Sequence, residues 1–489
     1  MAGTPFQFTN WVEGLNSDVS PLGVPENGFY VQSNCITSYK KGAVLKRPGY
    51  EKISTTLESG KSITGLHNFR QSASTQKMLT TVDDATSDDT QLFYKTSSGA
   101  WTELTDAETA WVNKAGINVE FEDFIGYCFM VGYGATDGFI APRTLTGTTF
   151  GTTNTTSMPN AKYIRRYRDR LYIANCDISG TTYPYRVYYS SVPSGSTISW
   201  TVATDFIDVD YSEEITGIAE NWDRMIIFTE YSAYMYNQDE KKKVWDIGCS
   251  NYRTIKNYGA YMVWANRDGV WASQTGGAPM NIAQRVIDYI HFANMSNSFA
   301  EMIDEEYYLY LGNVTVNGIS YANCAIVFNF PTATWRVEEY FDSMTVFAKY
   351  FNSGEDYLYM GASDGDVHRR GKYTDTTILS TDAGNSITTL FYSGLLSFNS
   401  PEIEKEITKA IFYADRAQGL FLKARIVDRN VESLNEFKPL GYLKKYINEF
   451  EVNPPKGNFI QIMGTDTGKM PYWSLLGATL HIVADKIVK

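Results

Sequence analysis

The chain has 489 residues and is poor in the groups that usually mark catalytic or redox chemistry. It holds only four histidines, His67, His291, His368 and His481, with no HExxH and no paired ligand spacing. That argues against zinc and histidine-base chemistry together. Its five cysteines, Cys35, Cys128, Cys176, Cys249 and Cys324, are widely spaced, odd in number and form no CxxC. This is the pattern of buried free thiols in a reducing compartment, not of a disulfide framework. Basic residues are in deficit: the net charge is −12 and the pI about 5.0. Proteins that grip nucleic acid through phosphates are usually basic, so this one would repel DNA on average. An acidic surface does suit a conduit that DNA passes without sticking. Apolar runs are short, as in Ala260–Ala265, far below the ~20 residues needed to span a bilayer. The N-terminus has no basic or apolar leader pattern, so the chain is expected to be made and kept in cytoplasm. No catalytic residue, metal or cofactor is expected.

Aromatic residues are abundant: 35 Tyr, 26 Phe and 10 Trp, a composition that favours strands over helices. They recur in register. Strand-like cores begin near positions 77, 126, 170, 224, 260, 307 and 357, each preceded by a second strand-like segment. Arg170-Leu171-Tyr172-Ile173-Ala174 followed by Arg186-Val187-Tyr188-Tyr189-Ser190 and Trp200-Thr201 is the clearest copy. Intervals of this length match four-stranded propeller blades of roughly 40–50 residues. Asn266-Arg267-Asp268-Gly269 and Ser363-Asp364-Gly365-Asp366 carry hairpin signals. Trp101, Trp200, Trp245 and Trp335 are candidates to open fourth strands.

The fold expected is therefore all-β: a β-propeller of about seven to eight blades, with a short helical insertion and a small β-rich terminal domain. A chain this long escapes the limit on a single core because each blade packs only on its neighbours. The expected divisions are an N-terminal anchor segment over 1–60, a propeller over 61–430, and a C-terminal β segment over 431–489 that closes or flanks it. Residues 281–299 have helix-like apolar spacing, and 106–116 could form a helical turn. The eighth blade would come from 406–413 and 420–426.

Two charged clusters stand out. Asp205, Asp208, Asp210, Glu213 and Glu214 form an acidic stretch in which Asp208 and Asp210 would share a strand face. It reads as a solvated or channel-facing strand; calcium favours such oxygen clusters, but the EF-hand pattern is missing. Arg166, Arg168 and Arg170 would share a face beside Tyr163 and Tyr167. They suit inter-blade or inter-subunit salt bridges better than stacking on nucleic acid. Gly464–Met470 is an imperfect phosphate loop, with Met470 where Ser or Thr is required, and reads as an ordinary loop.

The N-terminal residues Pro21 and Asn34, followed by Gly42-Ala43-Val44-Leu45-Lys46-Arg47-Pro48-Gly49-Tyr50, resemble the tail-nozzle (tail-hub) proteins of short-tailed bacteriophages. So do the Arg170–Thr201 unit and the ending Gly457–Gly464 with Trp473–Ala478. The resemblance implies a structural virion protein of the phage tail, assembled in the host bacterial cytoplasm. It implies a homo-oligomer, a hexameric ring below portal and adaptor proteins, carrying tail fibres or spikes and a needle or gate. Double-stranded DNA would pass through without sequence recognition. Within the motif, Pro48-Gly49 suits a type II turn, because Pro presets φ and Gly permits φ > 0. Lys46 and Arg47 would then sit at a sharp corner, solvated or pairing with acidic groups as an anchor. Two other functions fit the composition. One is a glycan-binding or glycan-hydrolysing propeller using exposed Trp and Tyr; it lacks the Gly-x-Ser-x-Gly elbow and the box typical of sialidase propellers. The other is a hub or stopper of another tail type.

Overall fold

The structure is a computed structural model. It describes residues 4–487 apart from 9, 38–41, 73, 85, 88, 97–98, 153, 239, 353, 399, 416–418, 428–435, 445, 453–455, 467 and 469–472. Seven antiparallel sheets follow one another along the chain. Blade 1 comprises Ile63–Arg70, Gln76–Asp83, Thr90–Lys95 and Thr102–Glu103. Blade 2 comprises Asn118–Phe124, Tyr127–Gly134, Arg143–Thr146 and Thr149–Gly151. Blade 3 comprises Asn160–Tyr167, Arg170–Ile178, Thr181–Tyr189 and Phe206–Asp208, and blade 4 comprises Ile215–Asn221, Arg224–Thr229, Ala233–Tyr236 and Lys241–Trp245. Blade 5 comprises Lys256–Tyr258, Tyr261–Asn266, Gly269–Gln274 and Met280–Asn281, and blade 6 comprises Phe299–Ile303, Glu306–Val316, Ile319–Asn329 and Thr334–Glu339. Blade 7 takes three strands, Met344–Asn352, Glu355–Ala362 and Val367–Arg370, from the far end of the repeat. Its fourth, Tyr50–Lys52, comes from the N-terminal part of the chain.

The apolar cores explain why the sheets form a ring. In the second strand of blade 4, Ile227 packs toward blade 3, while Ile226 and Phe228 pack toward blade 5. Alternate residues of a strand point to opposite faces, so a sheet covered on both sides needs a nearly continuous apolar run. Each second strand has one. The ring closes where Val346 and Tyr359 of blade 7 share a core with Ile63 and Met78 of blade 1. All seven aromatic cores read from the sequence are these second strands. The tryptophans are less regular. Trp335 lies inside a fourth strand, Trp245 ends one, and Trp200 only bridges to Ser190.

The remaining strands build a β-sandwich, not an eighth blade. One sheet orders Cys35–Ile36, Val44–Lys46, Ser474–Ile487, Ile403–Asp415 and Ile447–Glu451, with Thr4–Phe8 also on Ser474–Ile487. The other orders Phe29–Ser33, Thr389–Ser393, Phe459–Asp466, Phe421–Val427 and Lys438–Tyr442. Between them Trp11, Phe29, Phe391, Phe412 and Trp473 form the centre of a separate core. The candidate eighth-blade strands at 406–413 and 420–426 therefore lie in opposite sheets of the sandwich, where their alternation of buried and more exposed residues, shifted once at Thr408, fits a single covered face. The architecture changes between Ser386 and Thr389, not near 430, and the N-terminal segment is shared by both parts. The insertion over 281–299 is a broken helix, Gln284–Val286, Ile287–His291 and Met295–Asn297, linking blades 5 and 6. Thr105–Ala110 is helical as well. No helix among the described residues is long and apolar enough to cross a membrane.

Candidate functional site: a buried charge network where sandwich meets propeller

Arg47 leaves the last residue of the sandwich strand Val44–Lys46 and enters the propeller three residues later at Tyr50. Its guanidinium is fully buried. It forks onto Asp382, with Nη1 2.9 Å from Oδ1 and Nη2 2.5 Å from Oδ2, and donates to the carbonyls of Pro48 and Glu339. Nε donates to Asn34 Oδ1 at 2.7 Å. That same oxygen accepts the Glu339 amide, while Asn34 Nδ2 donates to Thr388 O. Asn34 holds this position with a left-handed backbone, φ 57°, a conformation Asn tolerates better than most residues. Lys46 is equally buried and donates to Asp466 Oδ2 at 3.0 Å and to Gly468 O at 2.9 Å. The imperfect phosphate loop thus contributes acceptors to Lys46; Thr467, Lys469 and Met470 lie outside the described residues.

Two expectations for this motif are corrected. Lys46 and Arg47 are not solvated at a corner; they are among the most buried charges in the molecule. Gly49 does not have a positive φ, and residues 47–49 form no turn. Its glycine is required by close approach instead, because a Cβ there would lie 1.9 Å from the carbonyl oxygen of Thr381. Its amide and carbonyl bond Leu379 O and the Gly371 amide. Gly42 does need its left-handed φ of 82°, and its carbonyl accepts the Trp11 amide. Pro21 accepts the Leu395 amide.

The network continues into blades 6 and 7 through residues the sequence did not single out. Arg336 forks onto Glu306 and reaches Glu338; Arg370 forks onto Glu338, which is fully buried. Tyr308 donates to Glu306 and lies under both guanidiniums. Burial by itself pushes Glu306 up, but Arg336, Tyr308 and Arg370 outweigh it and bring the carboxyl down to about 2. Glu338 is likewise pushed up by burial and brought below its usual range by Arg370, Arg336 and Arg47. Every charge here has fixed partners, the arrangement that holds a shape. Beside it opens a cavity of about 590 Å³ lined by Asp304, Glu305, Glu355 and Lys372, in which Lys372 already pairs with Asp304 and Glu355.

The other predicted charges are dispersed. Asp208 takes a forked contact from Arg186 across blade 3. Asp210 lies beyond the strand and binds Ser212, so the two do not share a strand face. Asp205 accepts from the Thr204 hydroxyl, Glu213 accepts from Thr229 and Ser232, and Glu214 from Lys162 and Asn175. Arg168 sits in the hairpin turn with φ 53°, not in the strand with Arg166, and links blade 3 to Asp223 and Gln238 of blade 4. Arg166 donates to Arg168 O and lies over Phe124; Arg170 donates to Ser190 O. Arg165, beside these arginines, pairs with Glu120 and Glu122 across blades 2 and 3. With Arg253 and Lys256 it helps line a space of about 360 Å³ on the propeller axis. All five cysteines are buried and free, and burial pushes each thiol up, away from the reactive thiolate. Of the exposed aromatics, Trp222 and Tyr231 lie at opposite ends of the strand Arg224–Thr229, whereas Tyr442 and Tyr446 line one pocket.

These features define an all-β protein: a seven-bladed β-propeller joined to a β-sandwich through a buried polar hinge. No family model and no curated protein matches the chain. Among solved structures it is similar to the AfRom2 CNH domain, at 8% identity and a TM-score of 0.38, over 66% of this chain and 99% of that one. At that score the propeller assignment rests on the sheets themselves.

Proposed function

We propose that this chain is a structural ring subunit, the nozzle or hub of a short phage tail, acting without catalysis as a DNA exit channel and an attachment platform. One observation carries the reading: of the residues on which the resemblance rests, Asn34, Arg47 and Gly49 converge on the joint between propeller and sandwich, while Lys46 beside them ties one sandwich sheet to the other. A motif used to fix two modules relative to each other is what a load-transmitting ring subunit needs. The narrow propeller axis favours a DNA passage between copies over one through a single chain. Six copies at −12 each would present −72 around such a passage, and phosphates would meet repulsion instead of adhesion. Fibres, spikes, adaptor and gate would attach to the outer blades and the sandwich.

The test is negative-stain microscopy with solution mass, alone and with a portal–adaptor complex. Rings with a bore wide enough for a duplex are expected. A protein that stays monomeric with the adaptor present, yet binds or cleaves members of a glycan panel, would replace this reading with the glycan-active one.

A further inference from the structure

The hairpin joining Glu355–Ala362 to Val367–Arg370 in blade 7 carries Asp364, Asp366 and His368, and one ligand-type atom from each lies within 4.8 Å of the others. His368 is 1% exposed, and neither of its ring nitrogens makes a hydrogen bond. Buried polar groups are nearly always hydrogen-bonded, so an imidazole with both nitrogens idle beside carboxylates requires a reason. Its nearest ionic neighbour is Asp342, 3.5 Å from Nε2, and that carboxylate already accepts from Tyr50. Asp366 Oδ1 is also buried, and the Lys52 ammonium lies against it at 2.7 Å. Lys52 and His368 face each other across the strand pair that completes blade 7.

We infer that Asp364, Asp366 and His368 form a binding site for a first-row divalent transition ion, and that the Lys52 ammonium is its built-in competitor. One imidazole nitrogen with two carboxylate oxygens is a donor set for zinc or manganese. Lys52 sits on a flexible stem, a third exposed, and also donates to Thr56; it can swing out when an ion takes Asp366. The site spans the hairpin beside the strand pair that completes blade 7, so an occupying ion would brace that blade.

The test is titration of the full chain, freed of metal by chelator, with Zn²⁺ and separately Mn²⁺, reading calorimetric affinity and thermal midpoint. The wild type should bind about one ion of either metal at this site with a dissociation constant in the micromolar range or below, and the midpoint should rise. D364N, at an exposed turn position, should weaken binding at least about tenfold and abolish the rise. K52Q should tighten it about tenfold, because the competing cation is gone. H67Q, at the other His-Asp-Cys cluster, where His67 is already bonded to Asp123, should change neither. Absence of binding overturns the inference, as does binding indifferent to both D364N and K52Q.

Discussion

Arg47 and Arg168 were both conspicuous in the sequence, and both meet an aspartate, yet they do different work. Arg47 and Asp382 are almost wholly removed from solvent, whereas Arg168 is 36% exposed and Asp223 78%. A surface pair gains about 0–1 kcal/mol, because water competes and two long side chains must be held still. A buried pair adds little over an apolar replacement, but losing one partner strands a charge and costs about 3–5 kcal/mol. The same chemistry is therefore decoration on the hairpin and a fixed hinge at the joint, and the difference is burial alone.

Several substitutions would break or sharpen this contrast. The largest effect is expected at Gly49→Ala. Its methyl would meet the Thr381 backbone, which cannot rotate away, so the variant should lose several kcal/mol in urea unfolding or fail to accumulate as soluble protein. Acid comes next. The Glu306 carboxyl is held at about 2 in the fold against an ordinary 4.5, so its contribution is present above about 4.5 and is lost as the pH falls toward 2. Stability measured by denaturant titration should decline by up to about 3 kcal/mol across that window, and Arg336→Met should flatten the decline. Smallest is Arg168→Ala, expected to cost under about 1 kcal/mol, less still in high salt. A loss there as large as at the joint would erase the distinction.

The propeller was legible because each second strand is buried on both faces. That demands an unbroken apolar and aromatic run, which stands out in any window. The sandwich was not. Ile403–Asp415 and Phe421–Val427 read in the sequence as a further strand pair, and what separates a blade from the sandwich is that they pair not with each other but with Ser474–Ile487 and Phe459–Asp466. The number of blades was hidden for the same reason, since Tyr50–Lys52 completes blade 7 from across the chain. The motif at Lys46–Gly49 was visible as a motif, but its role was inverted. Charged residues are almost never fully buried, so solvation was the natural expectation, and a Pro-Gly pair looks like a turn unless the crowding by Thr381 is known. Arg336, Glu338 and Arg370 gave no signal, because isolated Arg and Glu in strands are ordinary and only the fold brings them together.

The central claim is that Arg47 locks the sandwich to the propeller. It is tested most directly by equilibrium urea unfolding of Arg47→Ala beside the wild type, followed by tryptophan fluorescence, with Trp473 reporting from the sandwich and Trp264 from blade 5. The account predicts a loss of about 3–5 kcal/mol and a sandwich transition that separates from that of the propeller. Coincident transitions with a loss below about 1 kcal/mol would contradict it.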